Sequence, residues 1–142
     1  MIDYTDVESE IERCFAEMRS ASRDKYDADQ ADRTAALFLV AQMKLSFLIE
    51  EVEMKAKSAK NEIVRIEGEK YFEYKTASIE KKEKTTENLM ASYVAKEPDI
   101  VKAKAECATQ EANLKKWNYL LGVLKDGHIY FRNLSKNKTW SE

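Results

Sequence analysis

Six lysines in one stretch of this sequence are spaced so that a helix would gather them on one side. If residues 55–84 are helical, advancing about 100° per residue, Lys57, Lys60, Lys70, Lys75, Lys81 and Lys82 fall in one arc with Ile63, Val64, Tyr71 and Tyr74. Glu62, Glu69, Glu73, Glu80 and Glu83 gather on the other side, and Glu67 is the exception. A face that is both cationic and aromatic suits a single-stranded nucleic acid. Lysines neutralise phosphates, and open tyrosine rings offer stacking platforms worth roughly 1–3 kcal/mol per base without demanding sequence. The same residues would also serve a different purpose, with the tyrosines and aliphatics facing a partner helix and the lysine stems snorkelling around the rim.

A second basic tract, Lys115, Lys116, Lys125, Arg132, Lys136 and Lys138, surrounds Trp117, Tyr119, Tyr130, Phe131 and Trp140. Trp117 and Phe131 fall on an apolar seam, whereas Tyr119, Tyr130 and Trp140 lie off it and are free for another role. Some of these lysines are accounted for by the negative end of a helix dipole. Enzyme chemistry lacks its residues: there is one histidine, and no GxSxG, HExxH, CxxC or Gly-rich strand-to-helix loop is present. His128 falls on the seam and reads as a core or interface residue, not a general base. Carboxylate pairs such as Glu69 with Glu73 or Glu80 with Glu83 are expected by chance in an acidic helix. With no Glu-x-x-His motif, neither a di-metal centre nor any other cofactor is expected.

The elements that must carry these residues follow from composition. In 142 residues there are three glycines and one proline, too few turn-formers for a sandwich or barrel, so long helices remain. The chain is 44% apolar and 35% charged, with 24 basic against 26 acidic residues. The near balance hides a strong local asymmetry. Residues 1–36 carry ten acids and five bases, residues 55–84 nine bases and six acids, and residues 115–138 six bases and one acid. Two basic tracts in an acidic protein suggest a localised anionic partner, although on charge alone Lys and Glu that merely solvate long helices account for them as well. Cys14 and Cys107 are too few for a disulfide framework and sit at apolar helical positions, as buried reduced thiols in a reducing cytoplasm would. Residues 1–12 are acidic and lack an apolar stretch, so no secretory leader is expected. The mostly apolar run at 35–49 is too short to span a bilayer, so no membrane is expected as a partner.

Thr5-Asp6-Val7-Glu8 has the spacing of a capping box, with Val7, Ile11, Cys14, Phe15 and Met18 continuing a short amphipathic helix. Residues 20–32 read as a polar connector ending in an Asp cap. From Ala31 a seam of Phe38, Ala41, Leu45, Leu48 and Val52, widened by Leu37, Val40 and Ile49, begins a helix that can run to Lys82, with a possible break at 58–61. Roughly 50 helical residues would measure about 75 Å, beyond the ~35–40 Å diameter of a compact globule of this size. A shorter helix over 86–95 ends before Pro98, which suits the first position of another. That last helix carries the strongest pattern: Ile100, Ala103, Cys107, Gln110, Leu114, Trp117, Leu121, Leu124, His128 and Phe131 alternate in three- and four-residue steps. Asp126-Gly127 could end or kink it, with residues 128–131 extended instead. The expected fold is all-α, an elongated bundle of a few long helices assembling into a homo-oligomer. Its organisation is a short acidic helix plus connector over 1–30 and a long-helix domain over 31–142. Leu114, Trp117, Leu121, Leu124, His128 and Phe131 are the expected subunit interface.

Val64-Arg65-Ile66-Glu67, then Lys70 and Tyr74-Lys75, then Tyr93 through Lys102, then a long helix with Trp117 and Leu120-Leu121 and a basic aromatic end, resembles the UvsY-type recombination mediators of bacteriophages. The resemblance covers roughly residues 60–134. It implies a non-enzymatic, helical, ring-like homo-oligomer, of about six or seven subunits closed by rotation, working in the cytoplasm of a bacterial host. It also implies binding of single-stranded DNA with little sequence preference, and help to a RecA-type recombinase in replacing the single-strand-binding protein that coats the DNA. The family's Lys-x-Arg pair implicated in DNA contact is matched by Lys75 in its first position, while Ala77 stands where the arginine would be. The rival expectation from the residues alone is a coiled-coil scaffold or adaptor with no nucleic-acid role, its basic tracts paired with acidic faces of neighbouring subunits.

Overall fold

The structure, a computed structural model, describes residues 4–20, 26–82 and 86–141, with side chains through 138. Those residues form four α-helices: α1 (Tyr4–Arg19), α2 (Ala28–Glu80), α3 (Glu87–Ala95) and α4 (Pro98–Ser141). The chain is all-helical, as the scarcity of glycine and proline requires. No helix among the described residues is long and apolar enough to cross a membrane.

Local chemistry sets most of the helix ends. Asp27 caps α2 in a reciprocal box: its Oδ1 accepts from the Gln30 N–H at 2.7 Å, and Gln30 Oε1 accepts from the Asp27 N–H at 3.1 Å. The polar connector therefore stops five residues short of the expected Asp32, because the cap overrides the absence of an apolar period. Thr5 lies one residue inside α1 instead of capping it. Thr86 caps α3 by accepting from the Leu89 N–H at 3.2 Å, and Pro98 opens α4 with Asp99 in its first turn. The possible break at 58–61 does not occur, since α2 continues unbroken for 53 residues. Residues 126–131, including His128, are helical, not extended. Two residues past the end of α2, Lys82 takes φ 55°, a left-handed residue without the freedom of glycine.

The chain divides into two compact units. One comprises Met1–Glu51 and Leu114–Glu142, the other Val52–Asn113. In the first unit, α1 buries Val7, Ile11 and Cys14, and α2 buries Phe38, Ala41, Leu45 and Leu48. From α4 come Trp117, Leu124, Phe131 and Leu134. The Phe131 ring lies 5.4 Å from Phe38 and 5.2 Å from Tyr26 between centroids. A Cβ at Gly127 would sit 2.2 Å from the Phe38 ring, so only glycine lets α4 approach α2 this closely. Three polar ties cross the same contact. His128 Nδ1–H donates to the Ala35 carbonyl at 2.9 Å, Gln42 Nε2 donates to the Leu124 carbonyl at 3.4 Å, and Ser135 Oγ donates to the Ala28 carbonyl at 3.0 Å.

These contacts correct the expected subunit interface. Trp117, Leu124 and Phe131 are buried within the single chain, His128 is hydrogen-bonded inside it, and Leu114 and Leu121 are half-buried. A three–four seam is satisfied equally by an intramolecular partner, and α2 supplies one. Val40 does not widen the α2 seam; it is 43% exposed and faces away from it.

Cys14 and Cys107 are free, buried thiols. Burial, and then the Glu10 carboxylate, push the Cys14 thiol up to about 11.

Gly127→Ala is expected to destabilise the protein by about 1–3 kcal/mol in urea unfolding, despite better helix propensity, because Phe38 has no room to retreat. Gly122→Ala, where a Cβ meets nothing within 4 Å, should instead gain up to about 1 kcal/mol. Burial and the hydrogen bond donated to Glu17 at 2.6 Å raise Tyr26 from 10.0 to about 12. The folded pKa lies above the unfolded one, so this contribution is full below pH 10 and is lost as pH rises toward 12. Unfolding midpoints measured across that window should fall more gently in Tyr26→Phe than in the parent chain.

Candidate nucleic-acid interface

The second unit decides which of the α2 lysines face solvent. Its core is small: Val52, Ala56, Met90, Val94, Ile100 and Cys107 are buried, drawn from the middle of α2, from α3 and from the first half of α4. The side of α2 turned toward α3 and α4 carries Ile63, Glu67, Lys70, Tyr71 and Tyr74, all half-buried.

Tyr74 is engaged on both its hydroxyl and its ring. The hydroxyl donates to Glu97, and the ring lies 5.6 Å from Tyr93 at an interplanar angle of 35°. The hydrogen bond to Glu97, helped by burial, pushes the phenol pKa up. Tyr71 lines a groove of about 470 Å³ with Val64, Glu67, Gly68, Val94 and Lys104, where Lys104 pairs with Glu67 at 3.4 Å. The expectation of open stacking rings at Tyr71 and Tyr74 is therefore corrected. Both tyrosines lie toward the packing side of α2, with Ile63, Glu67 and Lys70.

Charges on this unit sort into paired and unpaired. Arg65 is bound by Glu62 and Glu69, Lys70 by Glu73 at 3.5 Å, and Lys60 by Glu111 at 3.0 Å. The Glu111 hydrogen bond raises the Lys60 pKa, the Glu73 charge raises that of Lys70, and the Arg65 hydrogen bond lowers that of Glu62. Lys57, Lys75, Lys81 and Lys82 are exposed, and none has a carboxylate within 4.0 Å among the described residues. Glu83, expected on the acidic side, lies outside the described residues.

A ring that sequence reasoning missed stands beside these free lysines. Phe72 is 69% exposed, and Ile79 is 70% exposed. Phe72, Lys75 and Ile79 follow three- and four-residue steps, which places them in one sector of α2, while the exposed Lys82 lies past the helix end. Lys57, Val64 and Gly68 fall in the same sector, and all are exposed. The solvent-facing basic and apolar face is thus turned by roughly a quarter of a turn from the expected one. Its signal was present in the spacing of Phe72, Lys75 and Ile79, overshadowed by two nearby tyrosines.

The second basic tract is exposed as well. Lys115, Lys116, Lys125, Arg132 and Lys136 face solvent, with Tyr119 73% and Tyr130 48% exposed. Lys116 Nζ sits 4.9 Å from the centre of the Trp117 ring, and the Tyr130 ring stands edge-on to Phe131 at 5.1 Å. The Trp140 side chain lies outside the described residues. No group of three or more metal-ligating side chains occurs among the described residues.

The two aromatic positions should separate in experiment. Phe72→Ala is expected to leave urea stability within about 0.5 kcal/mol of the parent, whereas Tyr74→Ala should lower the midpoint by uncoupling Tyr93 and Glu97. Comparison of this chain with family models, with curated proteins and with solved structures gives no match.

Proposed function

We propose that this chain is a recombination mediator of the UvsY type, which binds single-stranded DNA without sequence specificity and helps load a RecA-type recombinase onto DNA coated by single-strand-binding protein. The observation that carries this reading is the exposed sector of α2, where Lys57 and Lys75 share a face with the open ring of Phe72, and the exposed Lys82 follows just past the helix end. Unpaired ammonium groups release counterions when they meet phosphates, while lysines already bound to Glu73 or Glu111 would first have to give up those partners. Phe72, not Tyr71 or Tyr74, supplies the stacking surface in this reading. Lys75 is also the residue that matches the family's DNA-contacting lysine. Lys82 adds charge at a left-handed position where glycine would be less strained.

Each site of this kind is weak. A homo-oligomer would let several act together on one strand and raise avidity by orders of magnitude. The recombinase and the single-strand-binding protein enter as partners through the resemblance. A scaffold without a nucleic-acid role is favoured by a different observation, the exposed apolar side chains Leu39, Val40, Met43 and Phe47 on α2. The two readings part on a single property, preference for single strands.

Titration of a fluorescent oligothymidine against salt should give a steep log–log slope, with duplex of equal length bound more weakly. Replacing Lys57, Lys75 and Lys82 together by Ala should lower that slope by about 2, at roughly 0.7 per phosphate contact on single strands. No binding at low salt, or an unchanged slope, would remove the nucleic-acid role from this face.

A further inference from the structure

On the first unit, α2 presents a second face that no other part of the chain covers among the described residues. Arg33, Ala36, Val40, Met43, Phe47 and Glu50 are all exposed, with Val40, Met43 and Phe47 at 43%, 55% and 58%. Their three- and four-residue spacing is that of a coiled-coil seam, on the side of the helix away from the buried Phe38, Ala41, Leu45 and Leu48. Three large apolar side chains in a row, bounded by one charge at each end, form a surface made to be covered.

The order of residues along this seam identifies its occupant. Set antiparallel to a second copy of itself about a two-fold axis between Val40 and Met43, the face falls into matched layers. Arg33 meets the other copy's Glu50, Ala36 meets Phe47, and Val40 meets Met43, each layer then repeating by symmetry. Small opposes large in one layer and cation opposes anion in another. A parallel, in-register pairing would set Arg33 against Arg33 and Glu50 against Glu50, with Phe47 against Phe47 and Ala36 against Ala36. Only the antiparallel arrangement is complementary in both charge and volume.

We infer that this face of α2 is an isologous dimer contact, in which two copies of the chain pair antiparallel through Val40, Met43 and Phe47 and are held in register by reciprocal Arg33–Glu50 ion pairs. A contact of this symmetry closes on itself as a dimer, unlike the head-to-tail contact that a ring requires, so it is separate from any ring contact. It does not depend on the nucleic-acid reading and uses none of the residues assigned to it.

Single-cysteine variants Arg33→Cys and Glu50→Cys test the register in the full chain. The native thiols are buried and do not compete. In the antiparallel dimer the two copies of position 33 are separated by 17 residues of helix, about 25 Å, so neither variant alone should form a disulfide-linked dimer under mild diamide oxidation. Mixing the two should give the cross-linked heterodimer. Phe47→Glu, at an exposed position, should keep the helical circular dichroism and weaken self-association in sedimentation by at least about tenfold. Equal cross-linking of either single variant by itself would overturn the antiparallel register. A parent chain that sediments as a monomer at micromolar concentration, or a Phe47→Glu variant that associates as the parent does, would overturn the contact itself.

Discussion

The bare backbone of Gly127 against the ring of Phe38 is the constraint on which the first unit depends. It lets α4 come close enough to α2 for Phe131 to reach both Phe38 and Tyr26. His128, Gln42 and Ser135 then bond to backbone carbonyls across the gap. Once that contact is made, the strongest apolar seam in the sequence is spent inside the chain. What α2 has left to offer anything else is therefore its outer sectors, and those sectors carry two different chemistries. Along residues 33–50 the outer sector is apolar with a charge at each end. Along residues 57–79 it is basic and aromatic, with Lys57 and Lys75 beside Phe72 and Ile79.

Pairing inside the second unit sharpens this division. Glu62 and Glu69 hold Arg65, Glu73 holds Lys70, Glu111 holds Lys60 and Glu67 holds Lys104. Such exposed pairs contribute little to stability. Their effect on recognition is larger, because a lysine with a carboxylate beside it offers a passing phosphate far less net attraction. The basic excess of residues 55–84 is accordingly left to a few lysines without a carboxylate partner among the described residues, Lys57, Lys75, Lys81 and Lys82.

The parts of the fold written in local chemistry were legible in the sequence. Pro98 marks a helix start through its fixed φ, and the structure uses it as expected, while Thr86, expected as the first residue of a helix, instead caps it through its side-chain oxygen. The seams were legible too, since Phe38, Ala41, Leu45, Leu48 and Val52 are all buried. What covers a seam was not, because apolar spacing is identical for a neighbouring helix of the same chain and for another subunit. The same limit misplaced the solvent-facing basic sector. A helical wheel tells which residues share a side, but the direction of that side is set by α3 and α4, which seat Tyr74 against Tyr93 and Glu97. Gly127 gave no sign of its role, since a glycine before an apolar stretch reads as a stop when the ring that needs its space is 89 positions earlier.

The account rests on α2, and not the basic end of α4, being where a flexible polyanion is held. Lysine acetylation footprinting with and without a saturating single-stranded oligonucleotide, read by mass spectrometry, addresses this residue by residue. Strong protection of Lys57, Lys75 and Lys82, with Lys115, Lys116 and Lys125 unaffected, is the result the account predicts. Protection confined to the α4 lysines, or none at either tract under conditions where the oligonucleotide is bound, would contradict it.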